Sequence, residues 1–449
     1  MSNLIIKNGT IIDVENGDSY IGSIEVERNT VKRIFKSDDV LPEGVRIVDA
    51  EGKYIIPGLI DMHCHINERF APHFVASGVT TIRNTAGNVL LLKNLIEKPD
   101  DTPTPRVYAS DRMIDGTPGQ WGPTSYGNLV TDDPEEARKE VRRQVEVGVK
   151  FVKLYGWIKR EVMAAAVDEA KKYNLEVAID LENSKELTAL DAAELGVNWI
   201  EHASGFAHEM YKGWNLFVDQ VEWSHIDWEN PDQEKIKELC EKMLGYNVKL
   251  CPTMVIYDQS IKYPKFWSPK NIVIESASNI NYIMQYWNQQ SEYIDLIKSN
   301  NAKTHNLQKA IAKIYHDMGG TVVAGTDTPG LLYTYPGMSL HRELEIFVEI
   351  GFTELEALQA ATVNAAKSIN LDGIGVIKEG SIADLVILKD NPLENIKHTK
   401  DIHIIVKGGK AYTQEDILSH VPSEDEVEKS MAKFIEQWDV LGKLKIKCD

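Results

Sequence analysis

The chain has 449 residues, 43% of them apolar. That is long enough for one large domain plus a smaller one, because single cores rarely grow far beyond about 300 residues. Its 68 acidic against 49 basic residues leave a formal charge of -19, which argues against a nucleic-acid or anionic-membrane surface without identifying any partner. The opening "MSNLIIKNGTIIDVENG" has no basic segment followed by an apolar one, and no later run reaches the ~18 apolar residues of a membrane span. The expectation is a cytoplasmic protein. Cys64, Cys240, Cys251 and Cys448 are scattered without C-x-x-C spacing, which predicts reduced thiols.

In chain order, residues 1 to about 53 alternate β-rich runs ("LIIKNGTIIDV", "GSIEVERNTVKRIFKS") with turn residues and predict a small antiparallel sheet. The same texture returns in "GSIADLVILKDNP" and "IHIIVKGGKAYT". The two ends, residues 1–56 and 372–413, are therefore expected to complete one β-sandwich domain around an inserted core, residues 57–371. Within that core eight short strand candidates ("LIDMH", "VTTIRN", "RVYAS", "FVKLY", "EVAID", "WIEH", "KLCP", "TVVAGTD") alternate with helical segments. One helix opens on Asp133 and Pro134 and closes on Gly148, and another closes on Gly196. Eight strand-helix units predict an α/β fold, a (β/α)8 TIM barrel, although a doubly wound sheet shares the alternation. Residues 205–232 and 257–304 are unusually aromatic and longer than ordinary loops; they are read either as lids over a site or as an extra packing layer. Residues 414–449 form a helical tail, with an amphipathic helix after Val421 expected to dock on the core or on another subunit.

The stretch "IIPGLIDMHCHI" places His63 and His65 two residues apart at the end of an apolar strand. Alternation then points both rings to one side and Cys64 to the other, the arrangement of a metal-ligand pair or of two unrelated loop histidines. Barrel enzymes carry their chemistry at the carboxyl ends of the strands. Asp180, His202 and Asp327 fall there, after "EVAI", "WIE" and "AGT", and Lys153 lies within "FVKLY". Each has another reading: either aspartate could cap the following helix, His202 could be a bonded core histidine, and Lys153 must be paired, neutral or chemically modified, since an unpaired buried charge is costly.

The combination of "PGLIDMHCH", "GVTTIRNTAG", "GVKFVKLYGW", "GVNWIEHASG", "GGTVVAGTDTPG" and "GVIKEGSIADLVILKDNP" resembles the amidohydrolase superfamily in its imidazolonepropionase-like and prolidase-like branch, over nearly the full length. The resemblance implies a barrel with a β-sandwich and one or two divalent metals, most often zinc. His63 and His65 match the first-strand ligands. Asp327 matches the aspartate that binds metal and shuttles the proton, and His202 matches the sixth-strand histidine. Lys153 matches the lysine that is carboxylated in binuclear members. Asp180 departs, since relatives carry histidine there, and Trp121 stands where relatives often have a histidine in a glycine-rich loop.

Two accounts of Asp180 follow. In one it is a metal ligand that favours a harder metal such as Mn or Fe and leaves the site binuclear; in the other it is the ion-pair partner of Lys153 and the site is mononuclear. Because His202 is retained, the binuclear account is preferred. The expected reaction is metal-assisted hydrolysis of a C–N bond in a small amide, cyclic amide or dipeptide-like substrate, with Asp327 and His202 as catalytic groups. Trp121, Tyr257 and His341 are the candidate substrate-binding residues, with Trp214 and Trp223 suggesting an apolar substrate group. A non-hydrolytic lyase or isomerase on the same metal, or a silent assembly protein, are the alternative classes. A homo-oligomer is expected.

Overall fold

The computed structural model describes residues 4–36 and 39–445, so the reading of Cys448 lies outside the described residues. All eight predicted core strands form: Leu59–Cys64, Val79–Asn84, Arg106–Ala109, Phe151–Tyr155, Glu176–Asp180, Trp199–Glu201, Lys249–Cys251 and Thr321–Val322. Two further short strands, Met113–Asp115 and Asn128–Val130, lie in the glycine-rich segment around Trp121.

The first three strands make one parallel sheet, and the remainder make a second parallel sheet of seven. Hydrogen bonds join the two. Met62 N donates to Ala324 O (2.9 Å) and His65 N to Thr328 O (2.8 Å) on one side, and Lys150 N donates to Ala109 O (2.9 Å) on the other. Parallel sheets are covered by helices on their faces, which is why Leu59–Cys64 and Val79–Asn84 are buried at every residue.

The connecting helices start and stop where their sequences dictate. Asp133 accepts from Glu135 N at the start of Pro134–Val147, and Gly148 ends that helix at φ 88°. Thr188 and Asp191 form a capping box before Ala189–Leu195, which ends on Gly196 at φ 96°. Strands from the two ends of the chain share one sheet: Leu385–Leu388 pairs antiparallel with Tyr54–Pro57, which lies parallel to Leu4–Ile12. That sheet is mixed rather than antiparallel, because Arg46–Asp49 also runs parallel to Leu4–Ile12.

Part of each aromatic segment is packed into the fold. Residues 257–304 fall mostly into helices, among them Asn281–Ser291 and Ile294–Asp317. Trp287 is fully buried, and its indole donates to Pro329 O (2.9 Å). Trp214 is buried against Trp228. The tail helix, Glu424–Lys445, docks on this same chain: Val427 and Phe434 are buried, Phe434 meets Tyr126 edge-on, and Arg69 pairs with Glu424 (3.2 Å). Among the described residues no helix is long and apolar enough to cross a membrane.

Candidate metal centre

Alternation along Leu59–Cys64 and just beyond it does what the sequence predicts. The Nε2 atoms of His63 and His65 both reach Asp327 Oδ1, at 3.2 and 2.8 Å. Cys64 points away, its Sγ lying 3.9 Å from Arg83 O. His202 joins from the sixth strand, its ring centroid 4.7 Å from that of His63. One ligand atom from each of His63, His202 and Asp327 lies within 4.8 Å of the other two. Asp180 follows on the other side of His202, with Oδ2 3.5 Å from His202 Nε2.

The outer nitrogen of each deep histidine is already engaged. His63 Nδ1 is hydrogen-bonded to Glu201 Oε2 (2.7 Å), and His202 Nδ1 to Thr253 Oγ1 (2.6 Å). Such partners fix ring orientation and leave Nε2 free to bind a metal. Glu201 is itself fixed by Arg83 Nη1 (2.8 Å), whose guanidinium lies over Phe151 and Trp199. Asp61 ties the first strand to the eighth, accepting from His63 N and Thr326 N (3.1 Å each) and from Thr326 Oγ1 (2.6 Å). Three residues at this end, His202, Thr253 and Asp327, hold left-handed φ values of 60°, 49° and 55°. For residues other than glycine that is strain, and strain collects where geometry serves a function.

The electrostatics are those of a buried charge cluster. Burial alone would raise the Asp327 carboxyl, but the His63 and His65 rings hold it well below the usual carboxylate range. Burial acts likewise on Glu201, and Arg83, His63 and Lys153 outweigh it. Burial pushes the Lys153 ammonium down, opposed by Glu201 and Asp180. Lys153 is 1% exposed, and its Nζ has no hydrogen-bond partner among the described residues, Asp180 included. Asp180 thus acts on Lys153 through space without a hydrogen bond to it.

Of the substrate-binding candidates, Trp121 meets the His65 ring edge-on at 5.8 Å and is half-exposed. Tyr257 lies 6.3 Å from the His202 ring and donates its hydroxyl to Glu182 Oε1 (3.3 Å). His341 is not brought to this set, which corrects the sequence reading. It is fully buried in the helix Met338–Glu349, with Nδ1 bonded to Thr399 Oγ1 (2.9 Å) and Nε2 to Ser77 O (3.0 Å), so both nitrogens serve the fold. Trp223 is likewise absent from the cluster, stacking at an angle on His225.

Sequence reasoning missed Glu201, Arg83, Asp61, Thr253 and Glu182. The signal for three of them was visible: Asp61, Arg83 and Glu201 are charges inside apolar strands, the same anomaly that singled out Lys153.

A family model for the amidohydrolase family matches residues 54–412, and the chain belongs to that family. It is 26% identical to an ochratoxinase of Aspergillus niger over 334 residues, 69% of this chain, although the match spans only 55% of that relative's length. It is 22% identical to a dihydroorotase of Geobacter metallireducens, over 92% of this chain and 97% of that one. Among solved structures it superposes on a Xaa-Pro dipeptidase with bound methionine in its active site, with TM-score 0.68 and 20% identity, covering 92% of this chain and all of that one.

Proposed function

We propose that the protein is a metal-dependent hydrolase cleaving a C–N bond of a small amide, cyclic amide or dipeptide-like substrate. The site would lie at the mouth of a (β/α)8 barrel joined to a sandwich built from both chain ends. The observation that carries this reading is the convergence of His63 Nε2 and His65 Nε2 on one oxygen of Asp327, with the far nitrogen of His63 bonded to Glu201. Membership of the amidohydrolase family and likeness to proteins named ochratoxinase and dihydroorotase support C–N hydrolysis as the reaction class.

His63, His65, His202 and Asp327 offer imidazole and carboxylate donors suited to zinc, and the Asp180 carboxylate extends the set toward manganese or iron. Lys153 Nζ, buried without a hydrogen-bond partner among the described residues, would suit carboxylation, which would turn it into a further metal-binding oxygen donor. When bound, a divalent metal supplies the Lewis acidity that polarises a scissile carbonyl and makes water nucleophilic near neutral pH. Asp327 takes the proton of the attacking water and returns it to the leaving nitrogen. The Thr253 hydroxyl both donates and accepts, so it can set either tautomer of His202: one leaves Nε2 as a ligand, the other makes it a donor to the developing oxyanion.

The test has two parts. Metal per chain is counted by inductively coupled plasma mass spectrometry after preparation with zinc or manganese and bicarbonate; close to two ions is expected, and one would remove the bridging role of Lys153. Turnover in ¹⁸O-labelled water should place one label in the acid product, whereas product without label would move the protein to a lyase or isomerase.

A further inference from the structure

The tail helix, Glu424–Lys445, packs against the segments that follow the first three parallel strands. Asn67 and Glu68, just past His65, and Leu91 and Leu92 line a narrow gap against Val427 and Met431. Arg69 pairs with Glu424 (3.2 Å), and Asn94 Nδ2 donates to Ser430 Oγ (3.0 Å). Farther along the helix, buried Phe434 meets the Tyr126 ring edge-on at 5.4 Å, and the Trp438 ring lies 5.5 Å from the Arg112 guanidinium.

A short path leads from Phe434 to the candidate metal centre. Tyr126 is followed by Gly127, and the Trp121 indole lies on that glycine, where even a Cβ would come within 3.5 Å of Trp121 Cε3. The same indole meets the His65 ring edge-on at 5.8 Å. Residues 117–126 bury little of their own surface, and a segment of that kind opens locally at low cost unless something packs on it. Asp115 holds its start, accepting from Gln120 N (2.7 Å). Its far end is held by Asn88 Nδ2, which donates to Tyr126 O (2.9 Å), by Arg112 Nη1, which donates to Ser125 O (3.2 Å), and by the Phe434 ring against that of Tyr126.

We propose that Phe434 is a positioning residue of the substrate-binding wall: seated on the core, it holds the Tyr126 ring and, through Gly127, the Trp121 indole against His65. Trp438 backs the same segment through Arg112. The assignment rests on the reading of Trp121 as a substrate-binding residue of the proposed hydrolase.

The experiment is hydrogen exchange read by mass spectrometry on the full zinc-loaded chain, comparing the parent with Phe434→Ala and Phe434→Tyr. Amides within 117–127 should exchange about tenfold faster in Phe434→Ala and at the parent rate in Phe434→Tyr, with residues 59–64 and 176–180 and the zinc content unchanged. Unchanged exchange in 117–127, or a rise spread equally over the strands, overturns the proposal. Tyr126→Ala removes the other ring from the solvent side, so it should give the same local rise even where Phe434→Ala fails to fold, and no rise there rejects the assignment. Kinetics separates positioning from plain packing: for an amide that the parent hydrolyses, Phe434→Ala should raise KM about threefold with kcat unchanged, and adding it to Trp121→Ala should cost nothing more. An additive double variant would overturn the route through Trp121. Local loosening in a protein that hydrolyses no amide would sink the reaction while leaving Trp121 held as assigned; hydrolysis with unchanged exchange would do the reverse.

Discussion

Two lysines, each 1% exposed, show how differently the parallel strands and the terminal sheet treat buried charge. In the terminal sheet Lys407 donates to Asp100 O (2.8 Å) and sits 3.4 Å from Asp384, which is also held by Arg106 (2.9 Å). In the parallel strands Lys153 Nζ has no hydrogen-bond partner among the described residues. Burial lowers the pKa of both, opposed by Asp384 in one case and by Glu201 and Asp180 in the other. The difference separates a buried lysine tied into a hydrogen-bonded network from one that is not. A satisfied network contributes stability, whereas a buried amine left without a hydrogen bond costs it.

The largest effect should come from Asp327→Asn, which keeps the shape but removes the proton acceptor. Turnover is expected to fall on the order of 10³-fold with an unchanged far-ultraviolet circular dichroism spectrum, and full activity in this variant would reject the role of Asp327. The two lysines can then be set against each other by chemical denaturation of metal-free protein. Lys407→Met should cost about 2–3 kcal/mol, somewhat less than breaking an isolated buried pair because Arg106 still holds Asp384, whereas Lys153→Met should be neutral or stabilising. Equal losses would mean that the acidic neighbours of Lys153 already satisfy it and that the contrast is false.

A histidine serving the fold should leave a pH signature. Burial pushes His341 down to about 3, so between that value and 6.5 the unfolded chain binds the proton and the folded chain does not. Stability from this group is present above pH 6.5 and is lost as pH falls toward 3, by about 1.4 kcal/mol per unit. Unfolding midpoints across pH 6 to 4 should therefore fall less steeply for His341→Asn than for the parent; identical slopes would show that the ring does not titrate with folding. The smallest effect is expected at half-exposed Trp121, where substitution by alanine should raise KM about threefold with kcat unchanged. A fall in kcat instead would place the indole in the reaction step.

The legible parts of the site were those with a short-range signature. His63 and His65 share a face because strand alternation has a period of two, and Asp180, His202 and Asp327 could be placed because all three fall at strand ends. His341 misled because a helix gives no hint that its two ring nitrogens will be taken by Ser77 and Thr399, residues 264 and 58 positions away. Glu201 and Arg83 carried a readable anomaly, charge within an apolar strand, but their mutual contact spans 118 positions.

The sequence by itself determined the order of strands and helices, the caps at Asp133, Thr188, Gly148 and Gly196, and the family, because each depends on neighbouring residues or on motifs contiguous in the chain. Only the tertiary structure decided that Lys153 is buried without a hydrogen-bond partner among the described residues, that Glu201 orients His63, and that Glu182 and Tyr257 face each other across 75 positions. Pairing of buried polar groups is a property of three-dimensional neighbourhood. Desolvation demands a partner without specifying where along the chain that partner lies.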